Sequence, residues 1–222
     1  MRKSGRNSAP LFLFDKKIKA SHQQRPGDFC LVGIDEAGRG PLAGPVIACA
    51  LVLPPDFHDP VLDDSKKLDP GKRLKLYKKL RVKARWAIGC GQVSLIDSIN
   101  ILKATHFAMK AALSNLIRRY PDLTPDLILI DGLAVPQMGY PQKSVIGGDG
   151  KSASIAAASV VAKVFRDRIM TTLSKTYPAY GLHRHKGYAT PQHQKNLVRF
   201  GPTPIHRKTF FPVKVLLDEI SE

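Results

Sequence analysis

Cysteine is scarce in this 222-residue chain: Cys30, Cys49 and Cys90 are the only three, far apart and set in apolar stretches. An odd, scattered set argues against a disulfide framework and fits reduced, buried thiols in a cytosolic protein. None has the close paired spacing of a zinc site. Long apolar runs are also lacking, so no segment approaches the roughly 20 residues of a membrane span. The apolar stretch Leu11–Phe14 is too short for the hydrophobic part of a secretory signal. Arg2, Lys3, Arg6 and Ser8 fit a mitochondrial transit peptide only loosely. Residues 1–28, polar, basic and unpatterned, read instead as a flexible extension outside the core. Internal repeats and low-complexity tracts are lacking too.

Acidic residues are few. Eighteen Asp and Glu face 35 Lys and Arg, giving a formal charge of +17 and a sequence pI near 10.0. Such a balance favours a polyanionic partner, because neutralised phosphates release counterions. Nucleic acid is the leading candidate and an anionic membrane surface the weaker one. The imbalance is steepest over residues 161–210, which hold ten Lys and Arg against one acid, Asp167. Hydrophobic residues make up 43%, enough for a sizeable core.

The apolar runs Phe29–Asp35 and Val46–Leu53 read as neighbouring antiparallel strands around a Gly- and Pro-rich turn at 37–45. Asp69-Pro70 is a helix start, followed by Leu74, Tyr77 and Leu80 on one face of a helix running to about Ala84. Trp86–Ser94 reads as a strand and Asp97–Arg119 as a long amphipathic helix. Leu127–Asp131 and Lys143–Ile146 follow as strands. Ser152–Lys175 is a second long helix, whose small-residue run Ala153–Ser159 suits close packing on a sheet. Pro191 begins a shorter helix and Val213–Ile220 is one more apolar stretch. The order predicts an α/β fold: a mixed sheet covered on both faces by helices.

Two of these strands end in acid. One runs into Asp35-Glu36 and the other into Asp131. Ligands gather beyond the carboxyl ends of strands in open α/β sheets. Crowded carboxylates there call for a counter-charge, and Mg²⁺ or Mn²⁺ prefers oxygen ligands. A lone Asp after a strand is more often a turn or cap residue; two acid-tipped strands favour a metal site. Adjacent strand residues point to opposite faces, so Asp35 and Glu36 cannot both meet one ion from regular β geometry. Either the strand breaks at Glu36 or Glu36 contributes its backbone carbonyl.

The stretch from Gly33 to Val46, Gly-Ile-Asp-Glu-Ala-Gly-Arg-Gly-Pro-Leu-Ala-Gly-Pro-Val, closely resembles the signature of the type 2 ribonuclease H family, ribonuclease HII. Asp64-Ser-Lys-Lys-Leu68, Ile130-Asp-Gly132, Ala156-Ala-Ala-Ser-Val-Val-Ala-Lys163, His185-Lys-Gly-Tyr188 and His206-Arg-Lys-Thr-Phe210 follow in the family's order. The resemblance covers residues 29 to about 215. It implies an RNase H-like fold with a small helical C-terminal portion. It also implies cleavage of the RNA strand of RNA–DNA hybrids, and 5′ to single ribonucleotides in duplex DNA, leaving 5′-phosphate and 3′-hydroxyl ends. Asp35, Glu36 and Asp131 match the family's metal-binding acids, and Asp149 matches the fourth. Asp149 stands in Gly-Gly-Asp where Lys-Gly-Asp is more usual, so one positive charge is missing. Gly38, Arg39 and Gly40 match the loop that recognises the 2′-hydroxyl at the junction. Tyr188 matches the aromatic that packs on the next sugar, and Ser65 and Lys66 match a phosphate-contacting loop.

Gly150-Lys-Ser152 imitates a P-loop ending, but Val145 stands where the motif needs glycine. Pro41 and Pro45 obstruct the helix that a dinucleotide fingerprint at Gly38–Gly44 requires. His183 and His185 lack a third zinc ligand at suitable spacing. Two rival functions stand beside the ribonuclease: a non-catalytic basic duplex binder, and a structure-selective DNA nuclease of similar fold. Asp167, four residues after Lys163, competes with Asp149 for the fourth carboxylate, although pairing with Lys163 explains it adequately. A monomer is taken by default, and a contact of the basic arm with a replication clamp is left open.

Overall fold

Five strands form one mixed sheet in the order β3-β2-β1-β4-β5. The structure, a computed structural model, describes residues 8–22 and 29–221. Strands β1 (Leu31–Ala37) and β2 (Val46–Val52) are antiparallel, with Asp35 opposite Cys49. Strand β3 (Arg85–Gly91) continues the antiparallel side. Strands β4 (Leu127–Asp131) and β5 (Gln142–Val145) add in parallel, with Ile34 opposite Ile130. Seven α-helices surround the sheet among the described residues: α1 (Ala9–His22), α2 (Pro70–Lys83), α3 (Val93–Arg119), α4 (Ala153–Thr176), α5 (Leu182–His185), α6 (Pro191–Phe200) and α7 (Val213–Ser221).

Strand alternation divides the core in two. Val32, Ile34, Ile128 and Ile130 meet Ala108, Ala112 and Leu116 of α3 on one face. On the other, Cys49 and Leu51 meet Ala157, Val160 and Val161 of α4, with Leu76, Tyr77 and Leu80 of α2 behind. Small residues set the spacing, as the run Ala153–Ser159 led us to expect. A Cβ on Gly33 would lie 2.2 Å from the backbone of Ser154, so β1 and α4 are in backbone contact.

Several local readings change. Helix α2 has its expected start, the Asp69 carboxylate accepting from the Lys72 N–H at 2.9 Å, a cap worth about 1 kcal/mol. Its core face, however, carries Leu76 in place of the exposed Leu74. Strand β3 stops at Gly91, and α3 begins at Val93, ahead of Asp97. Asn100, at φ 69°, breaks α3 and re-caps it by accepting from the Lys103 N–H at 3.1 Å. All three thiols are free, but only Cys49 is buried, while Cys90 is exposed. No helix among the described residues is long and apolar enough to cross a membrane.

The N-terminal reading changes most. Residues 1–7 and 23–28 lie outside the described residues, but Ala9–His22 is helix α1, with Leu11 and Ile18 buried in the core. Its buried Asp15 accepts from the Ser152 hydroxyl at 2.6 Å, the Ser154 N–H at 2.8 Å and the Ser154 hydroxyl at 2.7 Å. A negative group at the positive end of α4 is favourably placed. The pattern was hard to read because α1 presents only a narrow apolar stripe among lysines.

Candidate active site

The parallel register of β1 and β4 makes Asp35 and Asp131 neighbours, one residue beyond the Ile34–Ile130 pair. Since Ile34 and Ile130 face α3, both acids face α4. A 3₁₀ turn, Gly148–Gly150, leads into α4 and brings Asp149 to the same place. One oxygen from each of Asp35, Asp131 and Asp149 lies within 4.8 Å of the others.

Hydrogen bonds hold these carboxylates in place. Asp131 accepts from the Gly148 N–H at 2.6 Å, tying β4 to the 3₁₀ turn. Asp35 accepts from the Glu36 N–H at 2.7 Å and from the Ser159 hydroxyl. Lys66 reaches Asp149 at 3.4 Å, so the charge missing from Gly-Gly-Asp arrives from another loop. Burial, with Glu36 and Asp131 adding repulsion, pushes the Asp35 carboxyl well above its ordinary value. Burial, then Asp64 and Asp131, raises Asp149 as well, against the pull of Lys66. Oxygen-only donors this close, with a mutual repulsion that Lys66 offsets only in part, fit a hard divalent cation.

Glu36 sits differently. Strand β1 runs regularly through Ala37, so it does not break at Glu36. The side chain therefore starts from the opposite face and lies 3.5 Å from Arg39, outside the three-acid cluster. Burial, with Asp131 adding to it, still raises its carboxyl above the usual range despite Arg39. Asp167 is elsewhere: it pairs with Lys163 at 2.8 Å and Arg73 at 3.8 Å.

The loop after β1 is pinned by two fully buried arginines that sequence reasoning missed. Arg207 donates to the carbonyls of Arg39 at 2.7 Å, of Gly44 at 2.9 Å, and of Gly38. Arg166, on α4, donates to those of Ala43, Pro45 and Lys186, each at 3.0 Å. Gly38, at φ +101°, is required here because a Cβ would collide with Arg166 at 2.0 Å. Gly40 is different: a Cβ there would meet nothing within 4 Å. Both arginines were counted into the basic charge of residues 161–210, yet neither reaches the surface. Only the place of Arg207 inside the family-like block His206–Phe210 marked either as special.

Tyr188 follows α5 and is 43% exposed, its ring 5.6 Å from the Lys163 ammonium. Ser65 does not stand at the surface: it is buried, its hydroxyl 2.9 Å from that of Ser159. Lys66, beside it, is exposed.

Sequence comparisons with known proteins agree on one family. The family described as Ribonuclease HII matches residues 32–213. Ribonuclease HII of Desulfitobacterium hafniense (strain DSM 10664 / DCB-2) is 50% identical over 189 residues, 85% of this chain and 71% of that protein. The crystal structure of ribonuclease H2 from Pyrococcus horikoshii OT3 superposes with a TM-score of 0.70 at 26% identity, covering 87% of this chain and 100% of that one. Bst-RNase HIII in complex with Mn²⁺, at 18% identity, has the same fold, with a TM-score of 0.68 over 90% of this chain and 72% of that one. The matched segment spans the acid ends of both strands, the pinned loop and α4, and the chain therefore belongs to the ribonuclease HII family, endonucleases that hydrolyse the RNA strand of RNA–DNA hybrids.

Proposed function

We propose that Asp35, Glu36, Asp131 and Asp149 bind Mg²⁺ or Mn²⁺ and that the chain cuts on the 5′ side of single ribonucleotides in duplex DNA, as well as in longer hybrids. The observation that carries the metal reading is the convergence of three carboxylate oxygens within 4.8 Å. When bound, divalent ions supply water activation and charge neutralisation at the scissile phosphate. Asp35 and Asp131 offer ligand oxygens from rigid strand ends, and Asp149 closes the set from the α4 side. Glu36, its side chain beside Arg39 on the other face, joins the set at its edge through its backbone carbonyl. Lys66 guides the phosphate toward these acids.

Ribose selection rests on the pinned loop. Gly38, Arg39 and Gly40 present backbone groups to the 2′-hydroxyl, which alone separates ribose from deoxyribose. Packing does not require glycine at position 40, and an incoming strand does: the open space over Gly40 lets a sugar approach the backbone. The exposed Tyr188 ring takes the next sugar. The product ends are 5′-phosphate and 3′-hydroxyl.

An end-labelled DNA duplex with one ribonucleotide tests this directly. We expect a single cut 5′ to the ribonucleotide with Mg²⁺ or Mn²⁺, none with EDTA, and none in the matched all-DNA duplex. Comparable cutting of all-DNA duplex would instead indicate a structure-selective DNA nuclease.

The fourth carboxylate has its own test. Asp149→Asn is expected to lower turnover by about 10–100-fold and raise the Mg²⁺ concentration giving half-activity. Asp167→Asn is expected to lose stability through Lys163 and Arg73 while its metal requirement stays put. A raised requirement in Asp167→Asn alone reverses the assignment.

A further inference from the structure

Four of the seven histidines cluster between α4, α5, α6 and the segment before α7: His183, His185, His193 and His206. His193 and His206 are fully buried, and their Nε2 atoms lie 3.1 Å apart. His185 stacks on His193 with ring centres 4.4 Å apart.

The partners of these rings determine where each proton sits. His193 Nδ1 lies 2.9 Å from the Tyr188 carbonyl, which can only accept, so Nδ1 carries the hydrogen and Nε2 is bare. His206 Nδ1 lies 3.0 Å from the Thr203 backbone N–H, which can only donate, so Nδ1 is bare and Nε2 carries the hydrogen. The two deductions come from opposite ends and agree: His206 Nε2–H donates to His193 Nε2. His185 Nε2 donates to the Tyr180 carbonyl at 2.8 Å, and its Nδ1 accepts from the Gly187 N–H at 3.2 Å. The Gly187–Tyr188 peptide is thus gripped at both ends, its preceding N–H by His185 and its following carbonyl by His193. The same turn is tied to the loop after β1, because the Leu42 N–H donates to the Gly187 carbonyl at 2.8 Å.

We propose that His206, His193 and His185 are positioning residues for ribonucleotide cleavage: a chain of neutral imidazoles, each locked in one tautomer, that sets the backbone at Gly187–Tyr188 and hence the angle at which the Tyr188 ring meets the sugar. This deepens the proposed reading of Tyr188 and rests on it. A fully neutral chain also explains why these buried histidines sit among so many cations with no carboxylate partner among the described residues. Burial and the neighbouring His193 depress His206 to about 4, in keeping with a ring that never charges near neutral pH.

Two measurements on the full chain test the proposal. Long-range ¹H–¹⁵N spectra at pH 7 are expected to show the Nδ1–H tautomer for His193 and Nε2–H for His185 and His206. The opposite tautomer at His193 or His206 overturns the chain. Cleavage of a single-ribonucleotide duplex is then followed in a double-mutant cycle. His206→Leu removes the donor to His193 and is expected to lower kcat/KM about tenfold, the scale of a misplaced binding group. His206→Gln, which keeps a donor, is expected to recover most of it. In the Tyr188→Ala background neither change costs more, because both act through Tyr188. Losses that multiply in the double variant reduce the histidines to general structural support and overturn the proposal. His206→Leu at the parent rate beside an impaired Tyr188→Ala removes the chain alone. Tyr188→Ala at the parent rate removes the sugar-stacking reading and the chain with it.

Discussion

Asp35→Asn is expected to melt higher than the parent chain in metal-free buffer while losing RNA-strand cleavage by about 10²–10³-fold or more. The two effects share one cause. Burial first, then Glu36 and Asp131, raises the Asp35 carboxyl well above its ordinary value, so its charged form is costly in the fold. The native state therefore binds this proton more tightly than the unfolded chain. Stability falls as pH rises from the ordinary carboxylate range through the raised value. Asparagine keeps an acceptor for the Glu36 N–H and removes the charge, relieving that cost at neutral pH. One kcal/mol moves the midpoint by about 2–4 °C in a chain of this size, so a rise of a few degrees is expected. The advantage narrows as pH falls from the raised value and is gone below about pH 4, near the ordinary Asp value. Saturating Mg²⁺ reverses the order, because only the parent gains binding free energy from the ion. Thermal melts of both proteins with and without Mg²⁺ decide it. A variant that melts lower in EDTA would sink the argument from charge crowding.

The second large effect is expected at Arg207. Its guanidinium serves three carbonyls at once, those of Gly38, Arg39 and Gly44. A lysine keeps the charge but presents one compact ammonium, which cannot span three acceptors. A buried carbonyl left unpaired costs about 1–3 kcal/mol, so Arg207→Lys is expected to lose about 3 kcal/mol, near 10 °C in midpoint. Cleavage of a single-ribonucleotide duplex is expected to fall about 10–100-fold at temperatures where the variant is still folded, because the loop that meets the 2′-hydroxyl is no longer fixed. Binding to undamaged duplex should change little, since Arg207 does not reach the surface. Melting curves, kcat/KM on the single-ribonucleotide duplex and affinity for the undamaged duplex check this. An unmoved midpoint would mean that the loop holds its shape without Arg207.

What the sequence could reveal depended on whether a residue's role was written in local pattern. Strands β1, β2 and β4 were legible because each is a short apolar run with a clear end. Asp35 and Asp131 were legible because they tip two such runs: one acid after a strand reads as a turn or cap, and two together favour a metal site. Asp149 needed the family resemblance, since a carboxylate between glycines looks like any turn residue. The placement of Glu36 was legible only as a conflict between strand geometry and shared coordination. Arg166, Arg207, His193 and His206 were illegible for a different reason. Counting charge treats every basic residue as solvent-facing, whereas these four are buried. What they bond to, carbonyl groups and one another, is created by tertiary contacts more than a hundred residues apart in the case of Arg207 and its loop. Helix α1 escaped for want of a strong apolar stripe.

Helix α1 alters where the functional unit begins. The recognisable family segment starts at residue 32, yet Asp15 takes the Ser154 N–H at the start of α4 and holds its N-cap residue, Ser152. Ser152, which donates to Asp15, also gives its backbone N–H to the Gly148 carbonyl at 2.8 Å, and Gly148 in turn gives its own N–H to Asp131. Three hydrogen bonds thus join a residue outside the shared segment to a carboxylate in the cluster. An expression boundary drawn at the edge of family similarity would sever that chain at its first member. The turn carrying Asp149 would then keep its ties to Asp131 and Lys66 but rest on an α4 start that has lost Asp15.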